Sequence, residues 1–174
     1  GESKSIPFAW ATTEEKITTF ALAGAGMAPA AWASQGGSSP QGFKNGASSN
    51  DVKALKTHGE ISAAPVLVNG VLVVPIYVPA SGDSCSVGQG FYQLFDMASG
   101  SNPTTPVTYK GNPVTDGEIA LGAGAPLTPS LHTSPSGTLA YPGSNTPPGG
   151  NQPNLGVINF GGKPLSRAIL WRQR

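Results

Sequence analysis

Ile61-Ser-Ala-Ala-Pro-Val-Leu-Val-Asn-Gly-Val-Leu-Val-Val-Pro-Ile-Tyr-Val78, continued after a polar loop by Phe91-Tyr-Gln-Leu-Phe-Asp-Met-Ala-Ser-Gly100, is the stretch on which the fold turns. Ile61–Val68 and Val71–Val78 are rich in branched apolar side chains, which favour extended backbone. Between them, Asn69-Gly70 supplies the two positive-φ residues that a type I′ hairpin turn needs. Pro75 has no N–H to give to a ladder, so it marks either an edge position or a bulge. The loop Ala80–Gly90 leads into a third strand, Phe91–Asp96. Asp96 is placed to accept amides of its own turn, and Gly100 to take the left-handed conformation that closes it. Thr105–Tyr109 follows as a fourth strand.

Towards the C-terminus the same grammar recurs more loosely. Thr128–Thr133 and Thr138–Tyr141 flank the turn Pro135-Ser-Gly137, and Leu155–Phe160 and Ala168–Trp171 flank Gly161-Gly162. A Pro/Gly/Asn loop fills 143–154. Towards the N-terminus the reading is less regular. Thr12 and Glu15 have capping-box spacing, and Ile17, Phe20 and Ala21 fit one helical face, so 12–23 is predicted as a short helix. Its Ile17-Thr-Thr-Phe20 core is β-branched and aromatic, which keeps a strand as the alternative. Residues 34–51, with Gly36-Gly-Ser-Ser-Pro40 and Ala47-Ser-Ser-Asn50, read as a Gly/Ser-rich loop or linker. The expected organisation is an N-terminal segment over 1–55, irregular or short-helical, and a β-rich region over 56–174. Short strands with frequent turn signals make the fold class all-β and mainly antiparallel: a sandwich, barrel or propeller.

Composition narrows the function classes. Charged residues are 11% of the 174, while Gly (24) and Pro (17) are abundant. Uncharged polar surface with many turns suits an extracellular β-protein and not a solvated helical bundle. The chain opens on Gly1 without an initiator Met, so an upstream portion is expected to have been removed or left out. A net charge of +1 gives no field for nucleic acid, and no apolar run approaches the ~20 residues of a membrane-spanning helix. After Glu118 no acidic residue follows, whereas Lys163, Arg167, Arg172 and Arg174 make the C-terminal end basic. Such an end docks on an acidic partner, or is a solvated tail or a strand with snorkelling arginines. Cys85 is the single cysteine, so no disulfide forms within the chain, and it reads as a small buried hydrophobe or the partner of an absent segment.

Catalytic constellations are not found. His58 and His132 stand far apart and, with one Cys, are poor material for zinc. Ser84, His58 and Asp83 could be combined on paper into a triad, yet the Gly-x-Ser-x-Gly elbow is absent and the nearest string is Gly82-Asp-Ser-Cys-Ser. Asp116 and Glu118 sit on either side of Gly117, where a solvated turn is the expected role. Gly24-Ala-Gly26 and Gly122-Ala-Gly124 lack the third glycine of a phosphate cradle and read as turns. Trp10, Trp32 and Trp171 are expected to be packing anchors.

Residues 60–100 together have the grammar of a four-stranded propeller blade. Within them, Ala64–Pro79, the run Asp83-Ser-Cys-Ser-Val-Gly-Gln-Gly and the close Leu94-Phe-Asp-Met-Ala-Ser-Gly100 resemble the late blades of PilY-type proteins, pilus-tip adhesins and assembly factors of type IV pili. The ending Ser166-Arg-Ala-Ile-Leu-Trp-Arg-Gln-Arg174 is similar to the Arg/Trp/Arg ending of that family. The resemblance covers about 56–174, while 1–55 match nothing. It implies a propeller-blade-like meander, a fragment of a β-propeller because 174 residues are too few for a full one, or else a small sandwich. It further implies a non-catalytic adhesion, assembly or structural role on an extracellular pilus or cell surface. The implied partners are pilins, minor pilins or other copies of the chain, with host or surface ligands besides. Arg167, Trp171, Arg172 and Arg174 are the implied partner-binding residues. The family's Asp-rich calcium loop is missing, so no metal is carried over, and no cofactor is expected. A blade closed by Asp-x-x-x-Gly also occurs in quinoprotein dehydrogenases, which makes a fragment of such an enzyme the alternative.

Overall fold

Hairpins closed by two left-handed residues set the architecture. The computed structural model describes residues 8–23, 26–81, 87–134, 137–145 and 156–161. Among these there is no helix, and the strands form three antiparallel sheets. The first is a plain meander of β1 (Phe8–Thr12), β2 (Lys16–Ala23), β3 (Gly26–Gln35), β4 (Gln41–Lys44) and β5 (Ala47–Ser48). Next in the chain come β6 (Glu60–Ile61), β7 (Val66–Val68), β8 (Val71–Val78) and β9 (Gln89–Asp96). A hairpin of β10 (Val107–Tyr109) and β11 (Asn112–Pro113) precedes β12 (Glu118–Ala123), and β13 (Ala125–Ser134), β14 (Gly137–Asn145) and β15 (Ile158–Phe160) complete the set. The second sheet runs β12-β9-β8-β6 with β7 also paired to β8, and the third runs β11-β10-β15-β14-β13. Among the described residues no sheet closes into a barrel.

Asn69 and Gly70 have φ of 48° and 81° and join Val68 to Val71 with no residue to spare, the expected type I′ geometry. The same device recurs at Asn45-Gly46 (φ 50° and 82°) between β4 and β5, and at Lys110-Gly111 (52° and 80°) between β10 and β11. The corner after β9 is also as anticipated. Asp96 Oδ1 accepts the amides of Ala98 (3.2 Å) and Ser99 (2.9 Å), and Gly100, at φ 73°, donates its amide to the Asp96 carbonyl at 2.8 Å.

The second sheet is the middle layer. Its strand β8 is buried on both faces, because Val71 and Val73 point to one side and Leu72, Val74 and Ile76 to the other. On one side, Val73, Tyr92, Leu94, Ile119 and Leu121 pack with Val107, Ala140, Ile158 and Phe160 of the third sheet. On the other, Leu72, Val74, Ile76, Phe95 and Met97 pack with Ile17 and Trp32 of the first sheet and with Val52 and Leu55 of the segment after β5. Each such side chain contributes roughly 1.5–3 kcal/mol on leaving water. Three stacked antiparallel sheets, the central one a blade-like meander, make the fold all-β.

Four local expectations are corrected. Residues 12–23 are not helical: Thr13 to Glu15 form the turn between β1 and β2, with the Thr13 amide on the Lys16 carbonyl at 2.8 Å, and Lys16 onward is strand. Inward positions there hold Ile17 and Thr19, and the Thr19 hydroxyl is satisfied by the Trp32 carbonyl at 2.9 Å, so a polar residue occupies a core position. Residues 34–51 are not a linker but contain β4 and β5, and Ser34 and Gly42 are buried. Pro75 is not on an edge, since β8 pairs with β9 on one side and with β6 and β7 on the other. Its missing N–H is accommodated because the ladder is interrupted between Ile61 of β6 and Val66 of β7, opposite it. The fourth strand of the central sheet is β12, whereas Val107–Tyr109 crosses to the third sheet and pairs with β15. Of the remaining expectations, the turn at Gly161-Gly162 and the strand Ala168–Trp171 lie wholly or partly outside the described residues, as does Pro135.

Candidate functional site

Three chain segments that are distant in sequence meet beside the central sheet. Asn50, Asp51 and Lys53 come from the segment after β5, Ser101 and Asn102 from the turn after β9, and Asp116 from the turn before β12. Together they line a cleft of about 290 Å³. Lys53 ties the three together. Its amide donates to the Gly100 carbonyl at 2.9 Å, and its Nζ donates to the carbonyls of Asp116 (2.6 Å) and Gly117 (2.9 Å). Its own carbonyl accepts the Ser34 hydroxyl at 2.7 Å, which anchors the segment to the first sheet.

Gly117 makes the convergence possible. At φ 66° it is left-handed, and a Cβ there would stand 2.6 Å from Asn102 Oδ1 and 3.0 Å from Lys53 Nζ. Asp116 Oδ1 accepts the Glu118 amide at 3.1 Å, so the carboxylate shapes its own turn. Burial lowers the Lys53 pKa below its ordinary value, with Glu118 and Asp116 pulling it back up and Lys56 adding to the lowering.

Next to this brace, Lys56 Nζ donates to Glu118 Oε1 at 2.6 Å and lies 4.0 Å from the centre of the Phe91 ring. The Lys56 amide donates to Gln93 Oε1 at 2.8 Å, which satisfies one end of a fully buried amide side chain. Glu118 is therefore engaged in an ion pair, while the Asp116 carboxylate accepts an amide of its own turn.

The surface offers a second kind of feature. On the outward side of the third sheet, Leu139 lies opposite His132 and Asn159, with exposed Tyr141 and Val157 nearby. Leu131 is also exposed, at the outer edge strand β13. The first half of β13 is held over the central sheet by Tyr92 Oη donating to the Leu127 carbonyl (2.6 Å), Ser62 to Pro126 (2.7 Å) and Thr128 to Ala64 (2.7 Å). Burial pushes the Tyr92 phenol up to about 12, partly offset by the Gly143 amide and increased by Tyr109. Tyr109 is itself raised by burial, with the Gly156 backbone opposing.

The residues singled out from sequence divide sharply. Arg167, Trp171, Arg172 and Arg174 lie outside the described residues, as do Cys85, Asp83 and Ser84. His58 and His132 are both exposed, and among the described residues no group of three or more potential metal ligands occurs. Trp32 is a packing anchor as expected: buried, stacked on Phe95 at 5.4 Å, and donating Nε1 to the Met97 carbonyl at 2.9 Å. Trp10 packs partly buried against the same cluster. Of the cleft residues, sequence reasoning had picked out only Asp116, through its turn glycine. Lys53, Ser101 and Asn102 carry no spacing signal, because sheet topology and not sequence proximity unites them. No protein-family model, curated protein or solved structure matches the chain.

Proposed function

We propose that the chain is a non-catalytic adhesion, assembly or structural component of an extracellular type IV pilus-like filament, acting through protein–protein contacts. The observation that carries this reading is the stack of three sheets whose outer member keeps Leu131 exposed on the edge strand β13 and Tyr141 exposed on its neighbour β14. A sheet edge offers backbone N–H and C=O groups to an added strand, and apolar side chains next to it give that strand something to pack on. The blade-like central meander and the low charge support the same reading, as do the sequence features resembling PilY-type proteins. Pilins, minor pilins or further copies of the chain are the partners it implies, and the basic end with Arg167, Trp171, Arg172 and Arg174 is a second point of attachment.

The test is co-purification of the chain with pilins, before and after deletion of residues 164–174. Loss of the partner with an unchanged unfolding midpoint supports docking through the basic end. Retention of the partner by the deleted chain removes that end from the interface. Replacing Leu131 and Tyr141 by Lys then reports on the edge strand, and retention after both changes rejects the filament reading. A visible absorbance band from a bound chromophore would turn the assignment to the dehydrogenase alternative.

A further inference from the structure

The cleft lined by Asn50, Asp51, Lys53, Ser101, Asn102 and Asp116 is braced by Lys53, while its other five side chains belong to neither buried cluster. The buried clusters lie elsewhere, and four of the six side chains (Asn50, Asp51, Asn102 and Asp116) are exposed. Sites for drug-like molecules are mostly apolar, with a few polar groups to orient the ligand. Here the lining side chains end in two carboxylates, two amides, a hydroxyl and an ammonium, while most of the exposed wall is their carbon, so the occupant must combine hydrogen-bonding groups with C–H surface. The charge pattern narrows it further. The Lys53 ammonium opposes a divalent cation, Asp116 opposes a phosphate or sulfate, and Asp51, 3.8 Å from the Lys44 ammonium, leaves the surroundings close to neutral. What remains is a neutral molecule that both donates and accepts at closely spaced positions.

We propose that this cleft binds a neutral pyranose ring, either as a free sugar or as the terminal residue of a glycan. Vicinal hydroxyls match a carboxylate or a carboxamide, each of which offers neighbouring hydrogen-bonding atoms. Asp116 keeps an oxygen beyond the one bonded to the Glu118 amide, and Lys53 keeps a donor beyond the two given to backbone carbonyls. The frame is preorganised, because Lys53 and Gly117 lock the three segments before any ligand arrives, which lowers the entropic cost of binding. A volume of about 290 Å³ is at the low end for ligand sites and accommodates a single ring. No aromatic side chain lines the cleft, so one ring binds weakly, and a filament presenting many copies would gain strength by multivalency. The inference stands on this geometry alone and does not need the filament reading to hold.

The experiment is a titration of the isotope-labelled full chain, followed by amide chemical shifts. The probes are glucose, galactose, mannose and N-acetylglucosamine, each as free sugar and as methyl glycoside, with calcium chloride and inorganic phosphate as separate arms. At least one sugar is expected to move the amides of Asp51, Lys53, Asn102 and Asp116 with millimolar affinity. Asp51→Asn and Asn102→Ala should each weaken that binding about tenfold, and His132→Ala should leave it unchanged. A glycan end as the natural ligand requires the methyl glycoside to bind at least as well as the free sugar; preference for the free sugar assigns the site to soluble saccharide. Asp51 is exposed and its ion pair with Lys44 is at the surface, so its replacement should cost little stability and its variant keeps the test open if Asn102→Ala unfolds. The proposal is overturned if no sugar moves these amides, if both variants bind as the parent does, or if only calcium or phosphate does so.

Discussion

Replacing Trp32 probes the layer contact between the first and central sheets. The indole is 1% exposed, stacks on Phe95 with an interplanar angle of 20°, and donates Nε1 to the Met97 carbonyl. Removing a buried Trp to Ala costs about 3–5 kcal/mol, including the cavity left behind. Trp32→Phe keeps an aromatic ring but leaves the Met97 carbonyl without its donor, at about 1–2 kcal/mol. The difference between the two variants isolates the packing share. Urea unfolding measures both, followed by far-ultraviolet circular dichroism and by tryptophan fluorescence, to which Trp10 of the first sheet contributes. The midpoints should fall in the order parent, Phe, Ala, with coincident transitions for the two probes and an unchanged slope. A loss below about 1 kcal/mol for Trp32→Ala, or a first sheet that melts separately in the parent, would refute the reasoning.

Further outcomes follow from the same contacts. Tyr92 holds its proton more tightly folded, at about 12, than unfolded, near its ordinary 10.0, so its stabilisation is complete below pH 10 and is lost as pH rises towards 12. The loss is about 2 kcal/mol, and Tyr92→Phe should flatten that decline in urea midpoints measured across the window. Lys53, whose pKa is lowered by burial, acts with the opposite sign in the alkaline range, so the Tyr92→Phe difference and not the absolute curve is diagnostic. Gly70→Ala meets nothing within 4 Å and should cost only the left-handed penalty, about 1–2 kcal/mol. Gly100→Ala adds a Cβ 2.6 Å from Trp32 Cδ2 and should cost about 2–5 kcal/mol; equal midpoints for the two variants would contradict the close approach.

The sequence carried the central sheet legibly because each of its signals is local. Asn69-Gly70 dictates a turn, the flanking apolar runs dictate extension, and Asp96 with Gly100 dictates the corner. The first sheet was obscured because its inward face alternates apolar with polar residues: Ile17 with Thr19, Trp32 with Ser34. Those hydroxyls are satisfied only by backbone groups distant in sequence, the Trp32 and Lys53 carbonyls, so periodicity cannot identify them as core. Asn45-Gly46 carried the same hairpin signal as Asn69-Gly70, but the short flanking segments Gln41–Lys44 and Ala47–Ser48 lack the apolar run that drew attention to the other. The cleft was invisible for a topological reason. It depends on β10 and β11 leaving the central sheet, so that Asp116 returns to its edge beside Lys53 and Asn102.

Amide hydrogen exchange tests most directly whether the central sheet is covered on both faces. The amides of Val73, Val74, Leu94 and Phe95 should exchange slowest in the chain, at a rate set by global unfolding, with the edge strands β1, β5 and β11 faster by orders of magnitude. Exchange of β8 and β9 at the pace of those edges would mean that one face is open to water, and the three-layer arrangement would fall.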